Sequence, residues 1–231
     1  PLAALRGRAE AFLQRVKDED LGVRRAALMT LNSAAHSKPA LVRPLLAGGW
    51  LLPAVYGEMT YKKELVRTVN LGPFQHKVDD GAELRKLALA CMDTLLDKMA
   101  DKLDPAVLLQ NLQERLSDEL DDIKQSAYQL LSKLAVRETS AVREVLDSLS
   151  EPLAAVLHKR PKESASPQDV ERHNELQRSA MSTVAALRRV EDSHTCPKFQ
   201  GMYDTILADP RLRSLLDSVS AQAQADQGPA P

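Results

Sequence analysis

Ile123-Lys124-Gln125-Ser126-Ala127-Tyr128, continued by Leu131 and Leu134, decides the fold of this chain. The apolar residues and the alanine stand at steps of 0, 4, 5, 8 and 11, which hold one face of a 3.6-residue helix. The same stripe occurs three more times without gaps. Val23-Arg24-Arg25-Ala26-Ala27-Leu28 runs on to Leu31 and Ala34, and Leu84-Arg85-Lys86-Leu87-Ala88-Leu89 to Met92 and Leu95. Leu176-Gln177-Arg178-Ser179-Ala180-Met181 runs on to Val184 and Leu187. Each repeat carries a long polar residue after the first apolar one, then alanine four positions on. A small side chain there lets neighbouring helices approach closely.

Working outward, a second apolar helix is predicted after each stripe: Leu41 to Val55, Val107 to Leu116, Val142 to Leu157, and one after Pro197 through Met202, Ile206 and Leu207. Asp104-Pro105, Ser166-Pro167 and Asp209-Pro210 each set an N-cap residue before a proline suited to the first helical position. Leu2 to Val16 reads as the second helix of a preceding repeat. The 39 residues from Leu84 to Ile123 match the period of HEAT or armadillo helical pairs. The intervals of 61 residues from Val23 to Leu84 and 53 from Ile123 to Leu176 are longer, so they hold insertions of about 22 and 14 residues. The fold class is all-α, a HEAT-repeat α-solenoid with one inserted β-hairpin. Its domain is expected over 1–220, with a disordered tail over 221–231 that is poor in apolar residues.

Composition narrows the function classes. Lys+Arg 31 against Asp+Glu 32 argues against electrostatically driven nucleic-acid binding. Apolar residues make up 44% but aromatics only 3%, so the core is built from Leu, Ala, Val and Met, which suits packed helices better than sheets. Nine glycines leave little room for the phosphate loops of a nucleotide-binding α/β fold. Two cysteines make no disulfide framework and fit a reducing compartment. No apolar stretch approaches the ~20 residues of a membrane span and no signal peptide opens the chain. The expectation is an intracellular, soluble helical protein, and the absent opening methionine suggests a piece of something longer.

The first insertion, residues 58–81, carries Leu65, Arg67, Val69 and Leu71 at alternating positions. Gly72-Pro73 interrupts, and Phe74, His76 and Val78 continue beyond it. This period of two around a turn predicts a strand–turn–strand hairpin between two helices. An isolated hairpin is marginal in water. It is therefore either a loop laid over its own repeat or a projecting contact element. The second insertion, residues 158–169, is polar with two prolines and reads as a mobile loop. Its run Lys159-Arg160-Pro161-Lys162 resembles a polyanion patch only weakly.

No catalytic constellation emerges, and no metal or cofactor is expected. The histidines are scattered, without the i, i+4 pairing of a helical metal site, and neither cysteine has a second one at zinc-ligand spacing. Cys91, between Ala90 and Met92, reads as a small core residue. Asp79-Asp80 and Asp121-Asp122 each lie just before a repeat helix, where they suit the positive end of its dipole.

Several blocks carry a family resemblance. Val23 to Pro39 followed by Leu41, Arg43, Leu45 and Leu46, then Lys63 to Arg67, Gly72-Pro73-Phe74, Val78-Asp79-Asp80-Gly81 and Leu84-Arg85-Lys86, look like the C-terminal region of the cullin-associated, neddylation-dissociated family, also described as TATA-binding-protein-interacting. Glu151-Pro152-Leu153 and Leu176 with Arg178 to Met181 extend the resemblance, which covers residues 12–219. It implies a HEAT solenoid that binds a cullin carrying its RING subunit, with no enzymatic activity of its own. It also implies a hairpin over 63–81 that overlaps the cullin site of the substrate-receptor adaptor, so that SCF-type ligases are assembled and exchanged by competition. The implied contact residues are Lys63, Arg67, Val69, Leu71, Gly72, Pro73, Phe74, His76 and Val78, and the implied location is cytoplasm and nucleus. Ala47-Gly48-Gly49-Trp50 departs from the family pattern, where a shorter helix-to-helix path is expected, and predicts a local break in the second helix. A scaffold for TATA-binding protein and a generic HEAT adaptor stand as rival readings.

Overall fold

The computed structural model describes residues 2–71 and 74–226. The chain divides into two compact units, Pro1–Asp104 and Pro105–Pro231. The stripe pattern suggested one domain over 1–220, and nothing in its spacing marks Asp104–Pro105 beyond the start of a helix. Each unit has its own buried core.

In unit 1, helix α1 (Leu2–Leu13) runs into a 3-10 turn, Gln14–Lys17, that buries Val16. Helix α2 (Leu21–Ser37) starts where Asp20 Oδ1 accepts from Val23 N at 3.0 Å. It packs on α5 (Ala82–Met99). Their seam buries Ala27, Leu28 and Leu31 on one side and Leu84, Ala88, Leu89, Met92 and Leu95 on the other. Close approach at the alanines brings backbone and small polar groups into reach. Cys91 Sγ donates to the Leu28 carbonyl at 3.2 Å and Thr94 Oγ1 to Asn32 Oδ1 at 2.6 Å. Val23 departs from the stripe, since the first turn of α2 leaves it exposed.

The helix predicted over Leu41 to Val55 is two helices, α3 (Pro39–Leu46) and α4 (Leu51–Met59), bent by 92°. The break falls at Ala47-Gly48-Gly49-Trp50. Gly49 holds φ 70 there, a left-handed backbone that glycine adopts with little steric cost.

Strands β1 (Val66–Leu71) and β2 (Phe74–Asp79) pair antiparallel between α4 and α5, from Val66 opposite Asp79 to Leu71 opposite Phe74. The predicted hairpin is therefore present, with the ladder ending on either side of Gly72-Pro73.

Unit 2 contains α6 (Pro105–Gln113), α7 (Asp121–Arg137), α8 (Thr139–His158), α9 (Pro167–Arg188), α10 (Pro197–Ala208) and α11 (Pro210–Asp226). The stripes of α7 and α9 are buried throughout: Ile123, Ala127, Tyr128, Leu131 and Leu134 meet the face of Leu176, Ala180, Met181, Val184 and Leu187. Burying each large side chain contributes about 1.5–3 kcal/mol.

Polar side chains close the helix ends in this unit. Gln177 Nε2 donates to the carbonyls of Val156, Leu157 and Lys159 at 3.1, 3.0 and 2.9 Å, and Arg211 Nη2 donates to Leu157 at 2.9 Å. These groups satisfy the C-terminal carbonyls of α8 that have no partner within the helix. Asp147 Oδ1 accepts from the amides of Lys198 and Phe199 at the start of α10. Asp209 Oδ1 accepts from the Arg211 and Leu212 amides at the start of α11. The tail predicted to be disordered from Ala221 is helical as far as Asp226, and residues 227–231 lie outside the described residues. Five residues short of the chain's end, α11 continues on helix-forming Ala and Gln, which need little apolar support.

Candidate functional site

The hairpin strands carry Arg67, Val69, Leu71, Phe74, His76 and Val78 of the residues singled out in the sequence, while Lys63 lies in the 3-10 turn Lys63–Leu65 leading into β1. Within the ladder Arg67 stands opposite Val78 and Val69 opposite His76, so these four share one face. Val66, Thr68 and Asn70 with Asp79, Lys77 and Gln75 form the other face. Between Val66 and Asn70, and between Gln75 and Asp79, no side chain is buried: Val66, Val69, Val78 and Asp79 are half-buried and the rest exposed. The ladder therefore presents both faces to solvent over its described length. Leu71 and Phe74 form the last pair by their backbone, and the expected contacts at Gly72 and Pro73 lie outside the described residues.

The base of the hairpin, by contrast, is tied down. The Leu65 carbonyl accepts from Asp80 N at 3.0 Å, which closes the neck. Arg67 meets Asp80 through Nε at 2.6 Å and Nη2 at 3.3 Å, a fork-shaped pairing. Asp80 holds the Arg67 guanidinium above its ordinary pKa through that hydrogen bond. Asp79 Oδ1 accepts from Gly81 N at 3.0 Å, and Asp79 Oδ2 accepts from Arg85 Nη2 at 2.7 Å. Arg85, in the first turn of α5, is only 1% exposed, and its guanidinium lies 5.3 Å from the Tyr61 ring centroid. Space at Gly81 is tight: a Cβ there would stand 3.1 Å from Leu65 Cδ1 and 3.3 Å from Asp79 Oδ1, and those side chains would have to give by a few tenths of an ångström.

A second cluster holds the end of α4 beside this neck. Glu58, 6% exposed, accepts from Lys62 Nζ at 2.7 Å and from Arg24 Nη1 at 3.5 Å. Arg24 also donates to the Asp18 carbonyl.

Sequence reasoning missed the residues that aim the hairpin. Arg85 reads in the sequence as the long polar residue after a stripe position, yet it is buried. The sequence pattern places Asp79 and Asp80 at the dipole of the following helix, but their carboxylates pair with Arg85 and Arg67. The available signal was the Asp-Asp-Gly neck spaced one helical turn from an arginine. Asp121 and Asp122 lie within the first turn of α7 rather than before it, at the dipole end expected for them.

Among the described residues no three His, Cys, Asp or Glu side chains gather as a metal site. Cys91 is buried, which pushes its thiol up to about 12, so it is a core group rather than a nucleophile. What the first unit offers is a shaped, anchored projection with mixed apolar and cationic side chains.

Comparison with known proteins agrees with this outline. Residues 41–207 match the sequence profile described as TATA-binding protein interacting (TIP20). Over 211 residues the chain is 39% identical to "Cullin-associated NEDD8-dissociated protein 1" of Dictyostelium discoideum, covering 91% of this chain and 17% of that protein. It is 42% identical over 193 residues to the protein of the same name in Arabidopsis thaliana, covering 83% of this chain and 16% of that one. The chain thus spans about a sixth of the length of these relatives. A crystal structure of an engineered protein aligns with a TM-score of 0.55 at 13% identity, over 94% of this chain and 77% of that one, a likeness of fold.

Proposed function

Because the chain belongs to the TATA-binding protein interacting (TIP20) family, we propose that it is a cullin-binding region, without catalytic activity, of a factor that regulates assembly of cullin-RING ubiquitin ligases. Cullin association is named in its relatives. The finer reading is steric. The hairpin reaches the N-terminal end of a cullin that carries its RING subunit, and competes there with the substrate-receptor adaptor. Its contacts are Lys63, Arg67, Val69, Leu71, Gly72, Pro73, Phe74, His76 and Val78, and the factor acts in cytoplasm and nucleus.

The observation that carries this reading is the contrast between the hairpin's two ends. Its described ladder buries no side chain, while its neck is held by the Arg85–Asp79 pair and the Leu65–Asp80 hydrogen bond. A loop laid over its own repeat would bury one face. An isolated two-stranded ladder is marginal in water, so one fixed at the base and open beyond it is suited to completion by a partner. Fixing it in advance lowers the ordering cost of binding.

The test is a competition assay on an immobilised cullin N-terminal half. Saturating adaptor is expected to displace this chain, and Phe74→Ala with Val69→Ser to weaken it at least tenfold, since each buried apolar side chain is worth about 1.5–3 kcal/mol. Binding indifferent to both adaptor and substitutions would move the contact to the helices and end the steric reading. The family's description favours a second partner, TATA-binding protein. Capture of that protein in place of the cullin would select the transcription-linked scaffold.

A further inference from the structure

The segment between α8 and α9 holds a feature that the hairpin reading leaves unused. Ser166-Pro167 is the single Ser-Pro or Thr-Pro step in the 231 residues. Both residues are exposed, as are residues 158–164 before them. Ser166 holds φ −64 and ψ 155, an extended polyproline II backbone, and Pro167 follows as the first residue of α9. Proline at that place offers no amide hydrogen. An enzyme that grips the extended chain there needs an apolar slot and no acceptor at the position after the serine, which is the requirement of a proline-directed kinase.

Beside this step lies a cavity of about 370 Å³ whose wall includes Lys159, Arg160, Lys162, Arg172, His173 and Asp169. Asp121 is the other acid on the wall, so two carboxylates stand against four fixed positive charges. The Ser166 hydroxyl is tied to one of the lining residues: Oγ donates to Asp169 Oδ2 at 2.7 Å and accepts from Asp169 N at 3.2 Å. The start of the segment is fixed, because Gln177 Nε2 donates to the Lys159 carbonyl at 2.9 Å and His173 Nε2 lies 3.0 Å from the same oxygen.

We propose that Ser166 is a phosphoacceptor for a proline-directed kinase, and that the basic wall formed by Lys159, Arg160, Lys162 and Arg172 receives the phosphoserine at the start of α9. In the transfer Ser166 Oγ bonds to the γ-phosphorus of a nucleoside triphosphate, the bond from that phosphorus to the departing diphosphate breaks, and the hydroxyl proton leaves to the kinase base. The product gives up the hydroxyl's bond to Asp169 Oδ2. It gains charge-assisted bonds to ammonium and guanidinium groups and the favourable end of the α9 dipole. A phosphoserine brings a charge of about −2, which offsets the net positive charge of the wall and takes away the cationic face a partner meets there. The site lies within unit 2 and does not rest on the hairpin.

The full chain is incubated with a proline-directed kinase and nucleoside triphosphate, and the product is mapped by peptide mass analysis. One phosphoryl group on Ser166 is expected, absent from Ser166→Ala and Pro167→Ala and retained in Ser164→Ala. Pro167→Ala keeps the Ser166 hydroxyl cap, and circular dichroism confirms that it is folded. No incorporation into the native chain, or a label that survives Ser166→Ala, would overturn the acceptor. Phosphorus NMR tests the cradle: the second ionisation is expected below the usual value of about 6, returning toward it in Lys159→Ala/Arg160→Ala/Lys162→Ala. A titration unchanged by that triple substitution would overturn the wall's role.

Discussion

Arg85 concentrates the energetics of the hairpin in one side chain. A guanidinium with 1% exposure is far from water, and it is tolerable there because Asp79 Oδ2 accepts from it at 2.7 Å and the Tyr61 ring lies beside it. Removing one member of a buried pair costs more than the pair itself contributes, because the remaining charge stays desolvated. Arg85→Ala is therefore expected to lower stability by about 3 kcal/mol, read from the urea midpoint. Arg85→Lys recovers only part, because a point charge cannot reproduce the planar guanidinium over the Tyr61 ring. Asp79 is 19% exposed at its side chain, so the carboxylate left by Arg85→Ala regains some water, whereas Asp79→Asn leaves the buried guanidinium without its anion and is expected to cost at least as much. An Asp79→Asn loss near zero beside a large Arg85→Ala loss would mean that the arginine acts through packing and not through its charge.

At the scale of elements, the stripe helices were legible because their burial is set by spacing alone. Ala127, Tyr128, Leu131 and Leu134 in α7, and Ala180, Met181, Val184 and Leu187 in α9, are all buried where the 4, 5, 8 and 11 steps put them. The hairpin was legible from alternation around Gly72-Pro73, and the break between α3 and α4 from its glycines. Arg85 was not, because burial of a cation depends on a partner six residues away across a turn, and the stripe pattern has no term for it. The helical run from Ala221 to Asp226 was missed for the opposite reason: composition poor in apolar residues was weighed above helix propensity.

The role assigned to the alanines has a direct check at this same scale. Ala88 is fully buried in the α2–α5 seam, whereas Ala26, on the outer side of α2, is exposed. Ala88→Leu is expected to cost about 1–3 kcal/mol by overpacking. Ala26→Leu is expected to change stability by less than about 0.5 kcal/mol. Chemical denaturation of the two variants side by side measures the difference. If Ala88→Leu proved as mild as Ala26→Leu, close helix approach would not be what the repeated alanine provides.

The whole chain carries its candidate contact in one unit and its candidate modification site in the other. The hairpin, its Arg85 clamp and the α2–α5 seam all lie within Pro1–Asp104, and the Ser166 segment lies within Pro105–Pro231. Each unit buries a core of its own, from Leu28 and Met92 in the first to Tyr128 and Met181 in the second. If the steric reading holds, residues 1–104 alone, once shown to be helical and cooperatively folded, are expected to keep adaptor-sensitive cullin binding, and residues 105–231 to lose it. Relatives about six times longer than this chain have room for further contacts to the same partner. Linked contacts multiply apparent affinity by about 10²–10⁴ without any new kind of interaction. Unit 1 should therefore bind more weakly than a full-length relative by a factor in that range, while the ratio of its affinities with and without adaptor stays the same. Calorimetry of the two units against the cullin fragment measures both quantities. Adaptor-sensitive binding found in residues 105–231 instead would transfer the competition to the helices of that unit and leave the hairpin a structural insertion.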